Sequence, residues 1–414
     1  MTSTLDDVKA RDAADPLAAF RARFSIPAGV IYLDGNSLGA LPAATAARVA
    51  AAVQEEWGQG LIRSWNTAGW VDLPTRVGDK IGRLIGAHPG ETVVADSTSV
   101  NLFKVLSAAL GMRPGRRKIV SQRDNFPTDL YIAQGLAAFL GRDHEVRLLP
   151  DDPAAEAIEA ALDDDVAVLM LTHVNYRSGR MHDIARLTAA AHRAGALVVW
   201  DLAHSAGAVP VDLNAAGGDF AVGCGYKYLN GGPGAPAFVW VAERHQAAFV
   251  QPLSGWMGHA EPFAFVPEYR PAPGVARYLC GTPPVLAASA LEVGVDLLLE
   301  ADVTALRAKS VALSELFIER LGGRCPQLAL LSPRVAAERG SQVSFAHAHG
   351  HALMQALISR GVIGDFRAPD VVRFGFTPLY LSHLDVWNAV EIIAEVLESG
   401  AWQRPEFQVR AAVT

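Results

Sequence analysis

DFAVGCGYKYLNGGPG, at residues 219–234, is the stretch that best indicates how this chain folds. The apolar run Phe220–Val222 predicts a short strand that ends at glycines and is followed by Lys227. A lysine confined by glycines is unusual unless its amine reacts, because burial lowers the pKa of a lysine and makes the amine nucleophilic. Such an amine suits a Schiff base with an aldehyde cofactor. A lysine on a surface turn fits this stretch as well, so the stretch alone leaves both interpretations open.

A second stretch, ALVVWDLAHSAG at residues 196–207, favours the cofactor interpretation. It predicts a buried strand that runs into Asp201, one strand before the lysine. A carboxylate in this position would keep the pyridine nitrogen of pyridoxal phosphate protonated, so that the ring can accept electrons. An aspartate at a strand end is by itself more often a helix cap. Asp201 and Lys227 together are therefore a more specific indication than either residue alone.

The pattern between residues 92 and 243 alternates strand candidates with helical stretches, which predicts βαβ units and a mostly parallel sheet covered by helices. Ligands of such sheets bind at the C-terminal ends of the strands. A smaller domain is expected after the helical run Val285–Leu299, with strands near 328–332, 342–346 and 371–375 and helices near 351–360 and 384–399. Further helices are expected at residues 5–24 and 43–57, and the larger-domain strand candidates are Thr92–Ala95, Lys118–Ser121, Val146–Leu149, Val166–Thr172, Ala196–Trp200, Phe220–Val222 and Ala237–Val241.

Composition restricts the class of protein. The chain has 414 residues, half of them hydrophobic, which is enough for one large and one smaller domain. A net charge of −7 argues against nucleic acid or an anionic membrane as the main partner. Three widely spaced cysteines predict a reducing compartment. The polar, acidic N-terminus has no signal-peptide pattern and no apolar run reaches membrane-spanning length, so a cytoplasmic protein is expected.

Six motifs in this order resemble the kynureninase family, whose members are pyridoxal-phosphate enzymes of the aminotransferase fold. They span nearly the whole chain: YLDGNSLG (32–39), DSTSVNL (96–102), NFPTD (125–129), WDLAHSAG (200–207), GYKYLNGGPG (225–234) and RFGFTPLY (373–380). The resemblance implies an α/β architecture in which a large domain with a mostly parallel sheet binds the cofactor. We expect that domain at residues 41–290, a smaller α/β C-terminal domain at 291–414, and an N-terminal segment, 1–40, packing with the smaller domain.

The resemblance also implies roles for individual residues around the cofactor. Thr98 and Ser99, at a predicted helix start, would hold the phosphate, as a helix N-terminus can, and Tyr226 would donate its hydroxyl to the same group. Phe126 would stack on the pyridine ring, with polar contacts from Asp129, Thr172 and His204. Without the resemblance, the DSTSV stretch is an ordinary helix cap, NFPTD is a turn, and the other residues are core or capping positions.

Residues outside the cofactor contacts are assigned in the same way. Arg373 would bind the α-carboxylate of an amino-acid substrate through its planar guanidinium, and Ser37 would contact the substrate. Trp256 and Thr282 would reach the phosphate of the neighbouring subunit, so the resemblance implies a homodimer. The segment with Arg63, Trp65 and Trp70 would border the aryl ring of the substrate.

The function implied by the resemblance is hydrolysis of L-kynurenine to anthranilate and L-alanine in tryptophan catabolism, a pathway linked to NAD biosynthesis. Lys227, Tyr226 and Asp201 would be its catalytic residues. The sequence leaves open the choice between kynurenine and 3-hydroxykynurenine. The alternatives are another enzyme of the same fold, such as an aminotransferase or a cysteine desulfurase, and a non-catalytic pyridoxal-phosphate-binding protein.

Two further groups of residues, the cysteines and the alternating histidines, could in principle form chemical sites. None of the cysteines, Cys224, Cys280 and Cys325, lies in a desulfurase-like loop, and a tyrosine rather than a histidine precedes Lys227. His347, His349 and His351 alternate, and on a strand they would share one face, but no acidic or cysteine partner is close in sequence. We therefore expect no metal site.

Overall fold

The structure is a computed structural model and describes residues 3–141 and 143–409. Strands and helices alternate through the central part of the chain. In chain order the strands are β1 Ile31–Tyr32, β2 Thr92–Val94, β3 Lys118–Gln122, β4 Glu145–Leu149, β5 Val166–Thr172, β6 Leu197–Asp201, β7 Phe220–Gly223, β8 Phe238–Val241, β9 Ala329–Leu330, β10 Gln342–Ala346, β11 Val362–Ile363, β12 Asp365–Arg367 and β13 Val371–Gly375.

Most helices begin at a polar cap or a proline, as the backbone amides of a first helical turn require. Ser97, Asp183, Asp302 and Ser382 accept a backbone amide of the helix that follows them. The helices are α1 Leu5–Ala13, α2 Thr45–Ala51, α3 Ser64–Thr67, α4 Leu73–Leu84, α5 Thr98–Gly111, α6 Pro127–Leu140, α7 Ala155–Ala160, α8 Ile184–Arg193, α9 Glu243–Gln246, α10 Val285–Leu299, α11 Val303–Arg324, α12 Gly350–Ile358 and α13 His383–Glu398.

The chain divides into two compact units. The larger unit contains Thr45–Asn175 and His182–Leu299. The smaller unit contains Met1–Ala44, Tyr176–Met181 and Glu300–Thr414. The short segment Tyr176–Met181 thus lies in a different unit from the residues on either side of it.

A seven-stranded sheet forms the centre of the larger unit, in the order β2-β8-β7-β6-β5-β3-β4. Pairs among β7, β6, β5, β3 and β4 are parallel, whereas β8 is antiparallel to both β7 and β2. Every residue of β5, β6 and β7 is buried, as expected of parallel strands covered on both faces. Apolar side chains of α5 pack on these strands, so the carboxyl ends of β5, β6 and β7 are held at one edge of a rigid layer.

The smaller unit has a four-stranded antiparallel sheet in the order β12-β13-β10-β9 and a parallel pair of β1 with β11. In this sheet Asp365 of β12 lies opposite Arg373 of β13, and Arg373 lies opposite Ser344 of β10. The register therefore places an acidic and a basic residue side by side on neighbouring strands.

The predicted α/β fold class is confirmed, and the strands predicted at 342–346 and 371–375 have those bounds. One local prediction is wrong, and the strand arrangement considered for the three histidines does not occur. The helix expected over 5–24 is broken into α1 and a 3-10 turn, Ala18–Arg23, because the proline at position 16 cannot continue a helix. The histidines at 347–351 do not share a strand, since β10 ends at Ala346 and His351 belongs to α12.

Candidate active site

The loop after β7 places Lys227 at the carboxyl edge of the large sheet. Lys227 is 8% exposed, and its amine lies 5.6 Å from the ring centre of Phe126 and 5.7 Å from that of Tyr226. The loop closes on itself through a hydrogen bond of 2.9 Å from the Gly231 amide to the Gly225 carbonyl. A Cβ on Gly225 would lie 2.4 Å from the carbonyl oxygen of Pro236, so the tight path of this loop requires glycine.

Lys227 differs from the other buried lysines of the described chain. Lys104 pairs with Asp96, and Lys309 pairs with Asp15 at 2.6 Å. Lys227 takes part in no ion pair within the residues that the structure describes. A buried amine without a salt-bridge partner is available for chemistry, whereas the two paired amines are committed to structure.

Two buried carboxylates lie at the ends of the neighbouring elements. Asp201 ends β6, where it pairs in register with Thr172 of β5. Asp129, on the first turn of α6, has no exposed surface, and its Oδ2 lies 3.3 Å from the Thr172 hydroxyl, which is 3.5 Å from Asp201 Oδ2. Burial, reinforced by the charge of Asp201, raises the pKa of Asp129 well above its usual value. Burial also raises the pKa of Asp201, while the charge of Lys227 opposes that shift.

The first turn of α5, which follows β2 of the large sheet, presents backbone N–H groups that have no partner within the helix. Ser97 caps the helix and accepts the amide of Val100 at 3.3 Å, so Thr98 and Ser99 occupy the first helical positions. Ser99 Oγ is 3.0 Å from Thr128 Oγ1. Asp96 has a positive φ of 46°, and it is held by the fully buried Lys104. The first amides of a helix are free to bind an anion such as a phosphate.

These features fit pyridoxal phosphate. Among the described residues, Asp129 Oδ1 is buried without a hydrogen-bond partner, which is costly unless a ligand group completes the site. Phe126, which the sequence predicts to stack on the pyridine ring, keeps 38% of its surface exposed beside the lysine. His204 is buried within the turn that follows β6, at the same edge of the sheet.

The residues predicted to face the aryl ring and the neighbouring subunit lie in the larger unit. The Trp256 ring is 6.2 Å from Trp65 and 5.6 Å from Phe263. Trp70 donates to Glu56 at 2.8 Å, and Arg63 donates to the Gln59 carbonyl at 2.9 Å, so Arg63 serves a local turn. Thr282 is exposed. A groove of about 430 Å³ is lined by Ile62, Trp65, Asn66, Trp256, Phe263 and Phe265.

Arg373 and Ser37 come together in the smaller unit, with two carboxylates that sequence reasoning missed. Arg373 is 1% exposed and donates through Nε and Nη2 to the two oxygens of Asp365, with Nε 2.7 Å from Oδ1. Although burial alone would raise the pKa of Asp365, the charges of Arg373 and Arg367 hold it below its usual value. Burial and the nearby Asp365 raise the pKa of Asp34 to about 7. The DFR tripeptide at 365–367, two residues of opposite charge in a short strand, was the signal available for Asp365.

The cysteines and histidines form no comparable site. Burial raises the pKa of the Cys224 thiol, and it raises that of Cys325 to about 11, which disfavours the thiolate that a nucleophile requires. His349 stacks on Trp402 with 4.7 Å between ring centres. Across residues 3–141 and 143–409, no group of three or more His, Cys, Asp or Glu residues could hold a metal ion. In the same ranges, no helix is both long enough and apolar enough to pass through a bilayer.

Solved structures similar to this chain carry the same fold. The apo cysteine desulfurase from Thermococcus onnurineus NA1 matches with a TM-score of 0.77 at 21% identity, over 96% of this chain and 100% of that chain. A lysine-to-alanine mutant of C-DES, with glycine covalently linked to its PLP cofactor, matches with a TM-score of 0.80 at 18% identity, over 91% of this chain and 99% of that chain. At these identities the likeness concerns the fold alone.

Sequence relatives are much more similar. A kynureninase from Burkholderia pseudomallei (strain 1106a) is 58% identical over 417 residues, which cover 99% of this chain and 100% of that protein. A kynureninase from Pseudomonas fluorescens is 56% identical over 418 residues and the full length of both chains. The family described as the kynureninase C-terminal domain matches residues 306–393. The chain therefore belongs to the kynureninase family.

Proposed function

We propose that this protein hydrolyses L-kynurenine to anthranilate and L-alanine with pyridoxal phosphate as its cofactor. Full-length identity of 56–58% to kynureninases supports the reaction. The observation from the molecule itself is the buried Lys227 amine, which has no salt-bridge partner in the described chain and lies at the same sheet edge as Asp201. When bound, pyridoxal phosphate supplies an aldehyde that bonds to amines and a ring that accepts electron density from the substrate α-carbon.

Lys227 would act first as the amine that holds the cofactor and then as the general base at the substrate α-carbon. Its surroundings support both roles. The aromatic rings of Phe126 and Tyr226 border the amine, and two buried carboxylates on which its charge acts, Asp201 and Asp129, neighbour one another. Water must be able to reach the γ-carbonyl of the substrate in the later step. The half-buried Tyr226 hydroxyl is our candidate to carry a proton there.

Asp201 would hold the proton on the pyridine nitrogen, and Asp129 would share that role as the second carboxylate. A positively charged ring nitrogen would be stabilised by negative charge on these two buried carboxylates. Thr172 ties the pair together, because its hydroxyl bonds to Asn125 and approaches both carboxylates. Thr98, Ser99 and Tyr226 would bind the phosphate, and His204 would complete the polar contacts of the ring.

Arg373 would bind the substrate α-carboxylate, with Ser37 beside it. The support is a guanidinium that is 1% exposed and fixed on both sides by β12 and by the Tyr176 carbonyl. A rigid, fully charged donor group is suited to a carboxylate.

We further propose a cytoplasmic homodimer in which Trp256 and Thr282 reach the neighbouring subunit. Ile62 and Phe265, at the groove described above, are 76% and 78% exposed. Exposed apolar surface of this kind commonly marks a contact with another chain. All three cysteines are free thiols, in keeping with a reducing compartment. Equilibrium sedimentation of the purified protein tests the dimer.

The test of the reaction is a steady-state assay on L-kynurenine and 3-hydroxykynurenine with no oxo-acid acceptor. We expect fluorescent anthranilate and an equal amount of alanine, and formation of an oxo acid instead would favour an aminotransferase. Borohydride reduction followed by peptide mapping should label Lys227. Lys104 and Lys309, which are buried but paired, are internal controls. A label on either of them would overturn the assignment of Lys227.

A further inference from the structure

Arg373 is heavily engaged within the protein itself. Its Nε and Nη2 donate to the two oxygens of Asp365, Nη2 also donates to Ser37 Oγ at 2.9 Å, and Nη1 donates to the Tyr176 carbonyl. A guanidinium has five N–H donors, so at least four are already used. Arg373 alone therefore has little capacity left for the two oxygens of a substrate carboxylate.

Ser37 is similarly committed. Its hydroxyl donates to Asp365 Oδ2 at 2.7 Å, and its oxygen accepts from Arg373 at 2.9 Å and from Arg367 at 3.3 Å. One donor and two acceptor positions are the full capacity of a hydroxyl. In this arrangement Ser37 links two arginines rather than offering a free group to a ligand.

Arg367 is the member of this cluster with donors to spare. It lies two residues after Asp365 on β12, so both side chains leave the same face of the strand. Its Nη2 is 2.7 Å from Asp365 Oδ2, whereas its Nε is buried and has no hydrogen-bond partner among the described residues. The side chain is 41% exposed, so a ligand can reach it.

The charges of the cluster fit one added anion. Two guanidinium groups face the Asp365 carboxylate, which accounts for one of the two positive charges. Asp34, the other acidic group facing them, has its pKa raised to about 7 by burial and by Asp365, so it is mostly protonated below neutral pH. One positive charge then remains without a partner, and it is most accessible on Arg367.

We propose that Arg367 is a second carboxylate-binding residue, which completes with Arg373 the site for the α-carboxylate of the substrate. Asp365 is a positioning residue that holds both guanidinium groups through its two oxygens. This inference rests on the proposed function of Arg373. It adds a carboxylate-binding residue, Arg367, that lies outside the six motifs quoted in the sequence analysis.

The experiment compares wild-type holoenzyme with Arg367→Gln, Arg367→Lys and the control Arg360→Gln. Arg360 is also a partly exposed arginine of the smaller unit and pairs with Glu395. The substrates are L-kynurenine and its α-carboxamide, which lacks the negative charge. Inhibition by L-alanine gives a readout independent of turnover, and thermal melting checks folding.

We expect Arg367→Gln to raise KM for L-kynurenine and Ki for L-alanine about tenfold, the effect of losing one charge-assisted contact, with a smaller change in kcat. Preference for the carboxylate over the carboxamide should fall by the same factor. Arg367→Lys should recover part of the loss, and Arg360→Gln should behave as wild type.

An unchanged KM in Arg367→Gln, or an equal loss on both substrates, would overturn the inference. If Arg373→Lys still raises KM for L-kynurenine in that case, the proposed function of Arg373 stands. If neither arginine variant changes the preference for L-kynurenine over its α-carboxamide, the carboxylate is bound elsewhere. Absence of turnover of L-kynurenine by the wild type would refute the proposed reaction itself. If Arg367→Gln does not fold, Arg367→Lys tests the proposal instead, because lysine lacks the planar fork of arginine. A preference for L-kynurenine over its α-carboxamide equal to that of the wild type in this variant would contradict the proposal.

Discussion

Replacing Arg373 by lysine tests whether this buried arginine acts on the substrate or only on the fold. The guanidinium donates hydrogen bonds to four oxygen atoms, two of Asp365 and one each of Ser37 and Tyr176. A lysine ammonium has three donors and no planar fork, so at least one of these contacts is lost. A charge-assisted hydrogen bond contributes about 1.5–3 kcal/mol, so we expect Arg373→Lys to lower the free energy of unfolding by about that amount.

The same change should lower kcat/KM for L-kynurenine by at least about tenfold, because a displaced cation no longer meets the carboxylate. The cofactor's visible absorption should be unchanged, since Lys227 lies in the other unit. Urea unfolding and steady-state kinetics on the same preparation measure the two effects.

Arg339→Lys is the matched control. Arg339 is also 1% exposed and belongs to the smaller unit, but it donates to Pro333, Ser314 and Glu315. Arg339→Lys should lower the free energy of unfolding by an amount similar to Arg373→Lys, but its kcat/KM should stay near the wild-type value. If the two variants lose stability equally and neither changes kcat/KM, Arg373 serves only the fold and our carboxylate site is wrong. Loss of cofactor colour in Arg373→Lys would also refute it.

Three further changes test other parts of the structure. Asp201→Asn should retain cofactor but lose about 10²–10³-fold in kcat, because it removes a preorganised charge; near-normal kcat would assign the role to Asp129. Asp219 is 1% exposed, and although burial would raise its pKa, bonds from His192 and His245 hold that pKa well below the usual value. Its stabilisation is therefore fully present above about pH 4 and is lost only as the pH falls on through the lowered pKa. Asp219→Asn should destabilise the protein by about 3 kcal/mol at pH 7, and in urea titrations this difference should shrink progressively as the pH is lowered below about 4. Asp34, with a pKa of about 7, is protonated in the fold at pH values where the unfolded chain is ionised, so its contribution to stability is lost as pH rises from about 4 through 7. Its ionisation near the arginines should also raise KM above pH 7, and Asp34→Asn should remove that inflection in the pH profile of KM; an unchanged profile would place the titrating group elsewhere.

Local sequence determined the central features of the cofactor site. Lys227 follows a buried strand, and its glycines are needed where the loop approaches Pro236. Asp201 ends the preceding strand, and parallel strands bring their carboxyl ends to one edge, so the alternation of strands and helices predicts that Asp201 and the Lys227 loop are neighbours. Each of these inferences depends on residues close together in the chain or on a regular repeat, which is why they could be drawn without coordinates.

Only the tertiary structure decided how the charges are shared. Asp365 and Arg373 lie on adjacent strands and meet through strand register, whereas Ser37, 328 residues before Asp365, joins them through the docking of an N-terminal loop, which no local pattern encodes. The same holds for Tyr176, whose short segment crosses into the smaller unit and supplies a carbonyl to Arg373. Whether a buried arginine is available to a ligand depends on which of its donors are already satisfied, and that depends on long-range packing. The sequence therefore predicted Arg373 as a carboxylate ligand, and only the tertiary structure placed Arg367 beside it, where we propose that it completes the same site.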